Sequence, residues 1–109
     1  MQVASDAMLN EMVGLLTGRW PIERILLFGS RARGDFEELS DYDLLVVVKD
    51  ENHRAGLAVK MACELKTVPV AKDLVLAKES TLRRQGIIAG TIYYDALTDG
   101  VEVYAAARE

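Results

Sequence analysis

The sequence predicts a small α/β or α+β domain, and three observations support this class. Some segments carry apolar residues at helical spacing, whereas others are continuous apolar runs of strand length. These two kinds of segment alternate along the chain and are separated by Gly, Pro and short polar clusters. Half of the 109 residues are hydrophobic, and this length suits one core, so we expect a single domain over residues 1–109.

Five elements are predicted in the first half of the chain. Met8 and Met12 belong to an apolar stripe at helical spacing, and Trp20-Pro21 breaks the pattern that follows. The segment from Asp41 onward is apolar on both faces, which is typical of a central strand. We predict, in order, a helix over residues 2–18, a strand over 22–28, a short helical turn capped by Ser30, a loop over 34–40 and a strand over 41–49.

The second half of the chain continues this alternation. Leu57, Met61 and Leu65 form one apolar stripe of a helix, and we expect the neighbouring Cys63 to be a small buried hydrophobe. Pro69 belongs at the start or on the edge of a strand. We predict a helix over about 52–66, a strand over 68–77, two helical pieces over 79–98 that separate near Gly86–Gly90, and a last strand from Val101.

Composition excludes several classes of protein. The net charge of −4 argues against binding nucleic acid by charge, so no direct nucleic-acid partner is expected. No apolar run approaches membrane-spanning length, and the N-terminus does not resemble a signal peptide, so we expect a cytoplasmic protein with no membrane partner. One cysteine permits neither an internal disulfide nor a cysteine-based zinc cluster.

Two aspartates stand at the start of the predicted central strand. Asp41 and Asp43 are two residues apart, so their side chains share a face of an extended chain. Neighbouring carboxylates raise each other's pKa unless a cation compensates. Proteins usually hold Mg²⁺ with one or two carboxylates and the phosphates of a substrate. The aspartate pair therefore indicates a magnesium site.

A candidate phosphate site precedes this pair. Gly29 allows the backbone to approach a ligand closely, and N–H groups at the start of a helix favour an anion. Ser30 adds a hydroxyl group, and Arg31 and Arg33 add positive charge. One element could therefore bind phosphate and the next could bind the metal.

The pattern Gly29-Ser30, ten residues, then Asp41-Tyr42-Asp43 resembles the signature of the nucleotidyltransferases related to DNA polymerase beta. The resemblance is closer to the minimal nucleotidyltransferases, whose N-terminal region reads much like FGSRARG…SDYDLLVVV, and it covers nearly the whole chain. It implies a nucleotidyltransferase fold with a small mixed sheet flanked by helices.

The resemblance also implies roles for the site residues. The family has a third carboxylate on a neighbouring strand, and Asp73 fits that position. Two Mg²⁺ ions would be held by three residues that are both catalytic and metal-binding, namely Asp41, Asp43 and Asp73. ATP would be the substrate, and the nucleotide-binding residues would be Gly29, Ser30, Arg31 and Arg33.

Minimal nucleotidyltransferases are commonly the antitoxins of HEPN RNase toxins. The resemblance thus implies AMP transfer from ATP to a tyrosine hydroxyl of a HEPN-family toxin, with which the chain would form a hetero-oligomer through an exposed apolar patch. One alternative is a non-catalytic antitoxin that neutralises the toxin by occlusion. A weaker alternative is an antibiotic nucleotidyltransferase, although such enzymes generally carry an added helical domain.

Overall fold

Helices and strands alternate around a four-stranded sheet in a computed structural model that describes residues 6–35, 37 and 40–107. The helices are α1 (Ala7–Thr17), α2 (Ser30–Arg33), α3 (Leu57–Glu64), α4 (Glu79–Gln85) and α5 (Ile92–Asp99). The strands are β1 (Arg24–Phe28), β2 (Tyr42–Val48), β3 (Lys72–Lys78) and β4 (Val101–Ala105). Short 3₁₀ turns, Asp50–Asn52 and Leu65–Thr67, lie on either side of α3. The predicted mixed class is confirmed.

The sheet is mixed, with the strand order β3-β2-β1-β4. β1 runs antiparallel to both β2 and β4, whereas β2 and β3 are parallel. The register places Asp43 opposite Phe28 on one side and opposite Asp73 on the other. The end of β1 and the starts of β2 and β3 therefore meet at one end of the sheet.

Each face of the sheet is covered by two of the longer helices. Alternate residues of β2, such as Leu44 and Val46, pack with α1 and α3, whereas Leu45 and Val47 pack on the side of α4 and α5. Side chains alternate along a strand, so Asp43 shares the face of α4 and α5. Its neighbour Tyr42 belongs to the core under α1.

The start of α1 is tied to the start of β2. Asp6 caps the helix, because one of its carboxylate oxygens accepts the backbone N–H of Leu9 at 3.1 Å. The other oxygen accepts the hydroxyl of Tyr42 at 2.7 Å. The predicted helix over 2–18 is confirmed from Ala7 to Thr17, and its first residues lie outside the described part of the chain.

Two predicted elements begin several residues later in the structure than the sequence indicated. β3 begins at Lys72 rather than at residue 68, because Val68 closes the preceding 3₁₀ turn and Pro69 has no N–H for a sheet. α3 begins at Leu57 rather than near 52, since the 3₁₀ turn after β2 ends first and Gly56 adopts a left-handed conformation.

Cys63 was expected to be buried, and this expectation is wrong. Its thiol is free and exposed. The buried stripe of this region is formed by Leu57, Met61 and Leu65, and a residue two positions from Met61 lies on another side of the helix.

The surface shows a concentration of apolar residues around the connection from α4 to α5. Among the residues described, the exposed large hydrophobic side chains are Val59, Ile87, Ile88, Ile92 and Leu97. Four of these five lie between residues 87 and 97, and the expected apolar patch for a partner stays a prediction. None of the described helices is sufficiently long and apolar to span a bilayer.

Candidate active site

Three aspartates lie at the end of the sheet where β1 ends and β2 and β3 begin. Asp43 is the second residue of β2 and is partly buried, whereas Asp41, just before the strand, and Asp73, on β3, are exposed. Burial raises the pKa of Asp43, and the negative charges of Asp73 and then Asp41 raise it further. The structure thus brings the three aspartates singled out in the sequence into electrostatic contact around Asp43.

The donor chemistry of this cluster fits Mg²⁺, which prefers carboxylate oxygens. A cation would also relieve the repulsion that raises the pKa of Asp43. Among residues 6–35, 37 and 40–107, however, no three Asp, Glu, His or Cys side chains stand close enough to enclose a metal ion. A magnesium site normally includes phosphate oxygens of its substrate. The ligand set Asp41, Asp43 and Asp73 therefore stays a prediction.

Gly29 forms the turn between β1 and α2 and lies directly against Asp43. Its φ of 76° and ψ of −159° fall in a region that is essentially restricted to glycine. A Cβ atom at this position would overlap Oδ2 of Asp43 and would lie 3.2 Å from Cγ of the same side chain. The turn therefore requires glycine for both its backbone conformation and its packing.

Ser30 is the first residue of the single helical turn α2, and the prediction that Ser30 caps this turn is wrong, because the N-cap residue is Gly29. The carbonyl of Gly29 accepts N–H groups of Ala32 and Arg33 at 3.1 and 3.2 Å, and the carbonyl of Ser30 accepts the N–H of Gly34 at 2.9 Å. This compact turn holds Ser30 beside the strand that carries Asp43. The geometry suits the predicted phosphate-binding role of Gly29 and Ser30, which stays a prediction.

The two arginines of α2 have different surroundings. Arg31 is only 8% exposed, and its guanidinium carbon lies 4.0 Å from the centre of the Tyr42 ring. Arg33 is exposed and close enough to Asp43 to lower the pKa of that carboxyl group. Nucleotide binding by either arginine stays a prediction, and the charge of Arg33 acts on Asp43.

Tyr42 has a role that the sequence analysis missed. Burial raises the pKa of its hydroxyl group, and the hydrogen bond to Asp6 and the charge of Asp6 add to this effect. The positive charge of Arg31 acts in the opposite direction. The signal in the sequence was the position of Tyr42 between two aspartates, which places it on the buried face of the strand.

Residues 10–108 match the family model described as polymerase beta, nucleotidyltransferase. The chain belongs to this family. The match includes the Gly29-Ser30 turn and the three aspartates, so the residues brought together in the structure lie within the family domain.

A curated relative is a candidate protein adenylyltransferase from Methanocaldococcus jannaschii, 55% identical over 29 residues. The match spans 27% of this chain and 29% of that protein. The chain therefore matches less than a third of the length of this relative.

Solved structures share the fold. A candidate nucleotidyltransferase from Sulfolobus solfataricus aligns with a TM-score of 0.64 at 24% identity, covering 90% of this chain and 78% of that one. A toxin–antitoxin complex with AMP-PNP aligns with a TM-score of 0.55 at 25% identity, over 89% and 73% of the two chains. The complex of a tri-AMPylated Shewanella oneidensis HEPN toxin with its MNT antitoxin aligns with a TM-score of 0.59 at 19% identity, over 91% and 71%.

Proposed function

We propose that this chain is an Mg²⁺-dependent protein adenylyltransferase that transfers AMP from ATP to a tyrosine hydroxyl of a HEPN-family toxin and so acts as the antitoxin. The observation that carries this proposal is the convergence of Asp41 and Asp73 on Asp43 beside the Gly29 turn, in a chain of the nucleotidyltransferase family. Two negative neighbours of a partly buried carboxylate disfavour its ionised form unless a cation is present.

Each residue of the site has a proposed task. Gly29 and Ser30 bind the triphosphate, because the turn lies against Asp43 and has no Cβ at its closest point. Asp41, Asp43 and Asp73 would hold two Mg²⁺ ions together with the phosphate oxygens. When bound, Mg²⁺ would neutralise charge on the triphosphate and lower the pKa of the attacking hydroxyl group.

The transfer forms one bond and breaks one. The acceptor oxygen attacks the α-phosphorus of ATP, the bond from that phosphorus to the bridging oxygen breaks, and pyrophosphate leaves. The hydroxyl proton passes to a carboxylate, for which we propose Asp73 on the edge strand of the described sheet. The chain's contribution is positioning and electrostatics, which dominate catalysis of phosphoryl transfer.

The relatives support the proposed substrate and partner. The short match is to a candidate protein adenylyltransferase, and two fold neighbours are a complex with AMP-PNP and an AMPylated HEPN toxin with its antitoxin. The apolar residues around the connection from α4 to α5 offer a surface on which a partner could form a hetero-oligomer with this chain.

A transfer assay tests the proposal. The chain is mixed with ATP labelled at the α-phosphate, Mg²⁺ and the protein encoded next to it, and intact mass is followed. We expect the partner to gain the mass of one or more AMP groups, and the double variant Asp41→Asn/Asp43→Asn to transfer none. Glu51→Gln is the matched control, because Glu51 is exposed and lies beyond the opposite end of β2.

The assay also separates the proposal from a non-catalytic antitoxin. If the partner gains no mass while a tight complex forms and survives the double substitution, the enzymatic proposal fails for that partner. Neutralisation by occlusion then becomes the better explanation. Omission of Mg²⁺, with EDTA added, should abolish transfer, and transfer that persists would refute the metal dependence.

A further inference from the structure

We propose that Arg31 and Tyr42 form a positioning pair that fixes the backbone around Asp41, and that divalent-cation binding depends on this pair. This inference rests on the proposed function, because it concerns the aspartates to which we assign Mg²⁺. Neither side chain has to touch the ion or the nucleotide. Their effect is transmitted through the main chain of residues 40–43.

Tyr42 is fixed at three points between the two aspartates. Its backbone N–H donates to the carbonyl of Ala71 at 2.9 Å, which joins the start of β2 to the segment before β3. Its ring is 4% exposed in the core under α1, and its hydroxyl donates to Asp6 at 2.7 Å. Because side chains alternate along a strand, holding Tyr42 on this face holds Asp43 on the other.

Arg31 contacts the residues on both sides of Asp41. Its Nε donates to the carbonyl of Ser40 at 3.0 Å, and its guanidinium group stacks on Tyr42 with a distance of 4.0 Å to the ring centre. It is the only charged side chain classed as buried among the residues described. One planar group therefore holds the residue before Asp41 and the residue after it.

Asp41 depends on these contacts because it lies outside the sheet. β2 begins at Tyr42, so Asp41 itself is exposed and precedes the strand. Arg31 also belongs to α2, the helical turn that begins at Ser30. The pair thus links the proposed phosphate turn to the proposed metal ligands. Lysine could not replace Arg31, since it lacks the planar group that stacks and donates in a fixed direction.

The test uses two variants with matched controls. Arg31→Lys retains the positive charge but removes the stacking and the directed hydrogen bond. Tyr42→Leu removes the ring while retaining an apolar side chain. The matched controls are Arg24→Lys and Tyr104→Leu, which make the same exchanges at the other end of β1. There Arg24 donates a hydrogen bond to Glu102, and Tyr104 of β4 lies opposite Ile25 in the sheet.

The measurement is Mn²⁺ binding to the full chain by electron paramagnetic resonance, first without nucleotide and then with saturating α,β-methylene-ATP, well below the melting temperature. We expect the Mn²⁺ dissociation constant to rise by about 10- to 100-fold in Arg31→Lys and in Tyr42→Leu, as for residues that orient metal ligands. The two controls should bind Mn²⁺ as the parent chain does. The double variant Arg31→Lys/Tyr42→Leu should have an Mn²⁺ dissociation constant no higher than that of the single variant that binds Mn²⁺ less tightly. The reason is that the two side chains act as one unit.

Other outcomes overturn the inference. If folded Arg31→Lys and Tyr42→Leu bind Mn²⁺ normally, the pair does not position the aspartates. If Arg31→Lys instead weakens binding of α,β-methylene-ATP alone, Arg31 contacts the nucleotide directly. A parent chain that binds no Mn²⁺, even with this nucleotide, would refute the proposed function and not only the positioning role.

A further variant keeps the test decisive if Tyr42→Leu does not fold, which circular dichroism would show. Tyr42→Phe retains the ring under the guanidinium group and removes only the bond to Asp6. We expect the Mn²⁺ dissociation constant of Tyr42→Phe to lie within about threefold of that of the parent chain. This change is much smaller than the one expected when a contact that orients a metal ligand is lost. A loss as large as that of Arg31→Lys would assign the role to the hydroxyl group and overturn the pairing.

Discussion

Replacing Gly29 with alanine should damage both the fold and the site. The backbone of Gly29 has a φ of 76° and a ψ of −159°, a conformation that costs other residues about 1–3 kcal/mol. For a domain of this size, a loss of about 1 kcal/mol lowers the melting temperature by roughly 4 °C, so we expect a decrease of about 4–12 °C. Since folded domains are stable by about 5–15 kcal/mol, the variant should still fold.

The added methyl group should affect the site more strongly than the fold. It would overlap Oδ2 of Asp43 and lie 3.2 Å from Cγ and 3.5 Å from Cβ, so the carboxylate must rotate away or the strand must shift. A displacement of about 1 Å can cost about 100-fold in rate when catalysis depends on positioning. We therefore expect Gly29→Ala to reduce AMP transfer by at least about 100-fold.

Gly56→Ala is the matched control for this prediction. Gly56 also has a positive φ, 82°, but among the described residues no heavy atom beyond its own chain neighbours lies within 4 Å of the position that its Cβ would occupy. Its left-handed conformation costs an alanine about 1–2 kcal/mol, so its melting temperature should fall comparably while transfer is retained. Thermal melts and the AMP-transfer assay are measured on both variants. If Gly29→Ala transfers AMP within twofold of Gly56→Ala, the contact with Asp43 does not matter for function.

Three further predictions concern stability. Burial and its negative neighbours raise the pKa of Asp43, so the folded chain loses stability as pH rises from the usual 3.8 through the raised value. Asp43→Asn should therefore melt higher at pH 7 without divalent cations, with the difference shrinking below about pH 4; an unchanged melting temperature at pH 7 would contradict this. The hydrogen bonds from Ser80 lower the pKa of Asp50 in the folded chain. Asp50 therefore stabilises the fold at pH values above the usual carboxyl pKa, and this stabilisation is lost as pH falls through the lowered pKa. Asp50→Ala should thus melt lower at pH 7 and bind Mn²⁺ normally, whereas weakened Mn²⁺ binding would place Asp50 in the site. Met12→Ala removes a fully buried side chain and should cost about 2–5 kcal/mol in urea unfolding, and a cost below 1 kcal/mol would mean that the core under α1 is loosely packed.

The sequence predicted the presence and order of the four strands because they carry strong local signals, whereas the mixed sheet was implied by the family resemblance. The apolar run from Leu44 to Val48 has the length and the β-branched residues typical of a buried strand, and it is fully buried in the structure. Asp43 lies in the strand as predicted, whereas Asp41, which the sequence placed in the same strand, lies just before it. Asp73 was assigned from a family resemblance, and the parallel register opposite Asp43 explains why that position suits a third carboxylate.

Contacts between distant segments could not be predicted in the same way. Arg31 and Arg33 are alike in the sequence, and only the packing of α2 on β2 shows that the first stacks on Tyr42 while the second acts on the carboxylates. The bond from Tyr42 to Asp6 joins residues 36 positions apart. No local sequence pattern predicts this hydrogen bond. Neither the residue types nor their spacing specifies that the start of α1 lies over the start of β2.

The register between β1 and β2 determines where insertions in the chain can be accommodated. One residue added between Tyr42 and Asp43 would place both side chains on the same face of the sheet, so that either the carboxylate would enter the apolar core or the ring would leave it. The start of β2 is therefore a segment whose length cannot change without moving the carboxylate or the ring to the wrong face of the sheet.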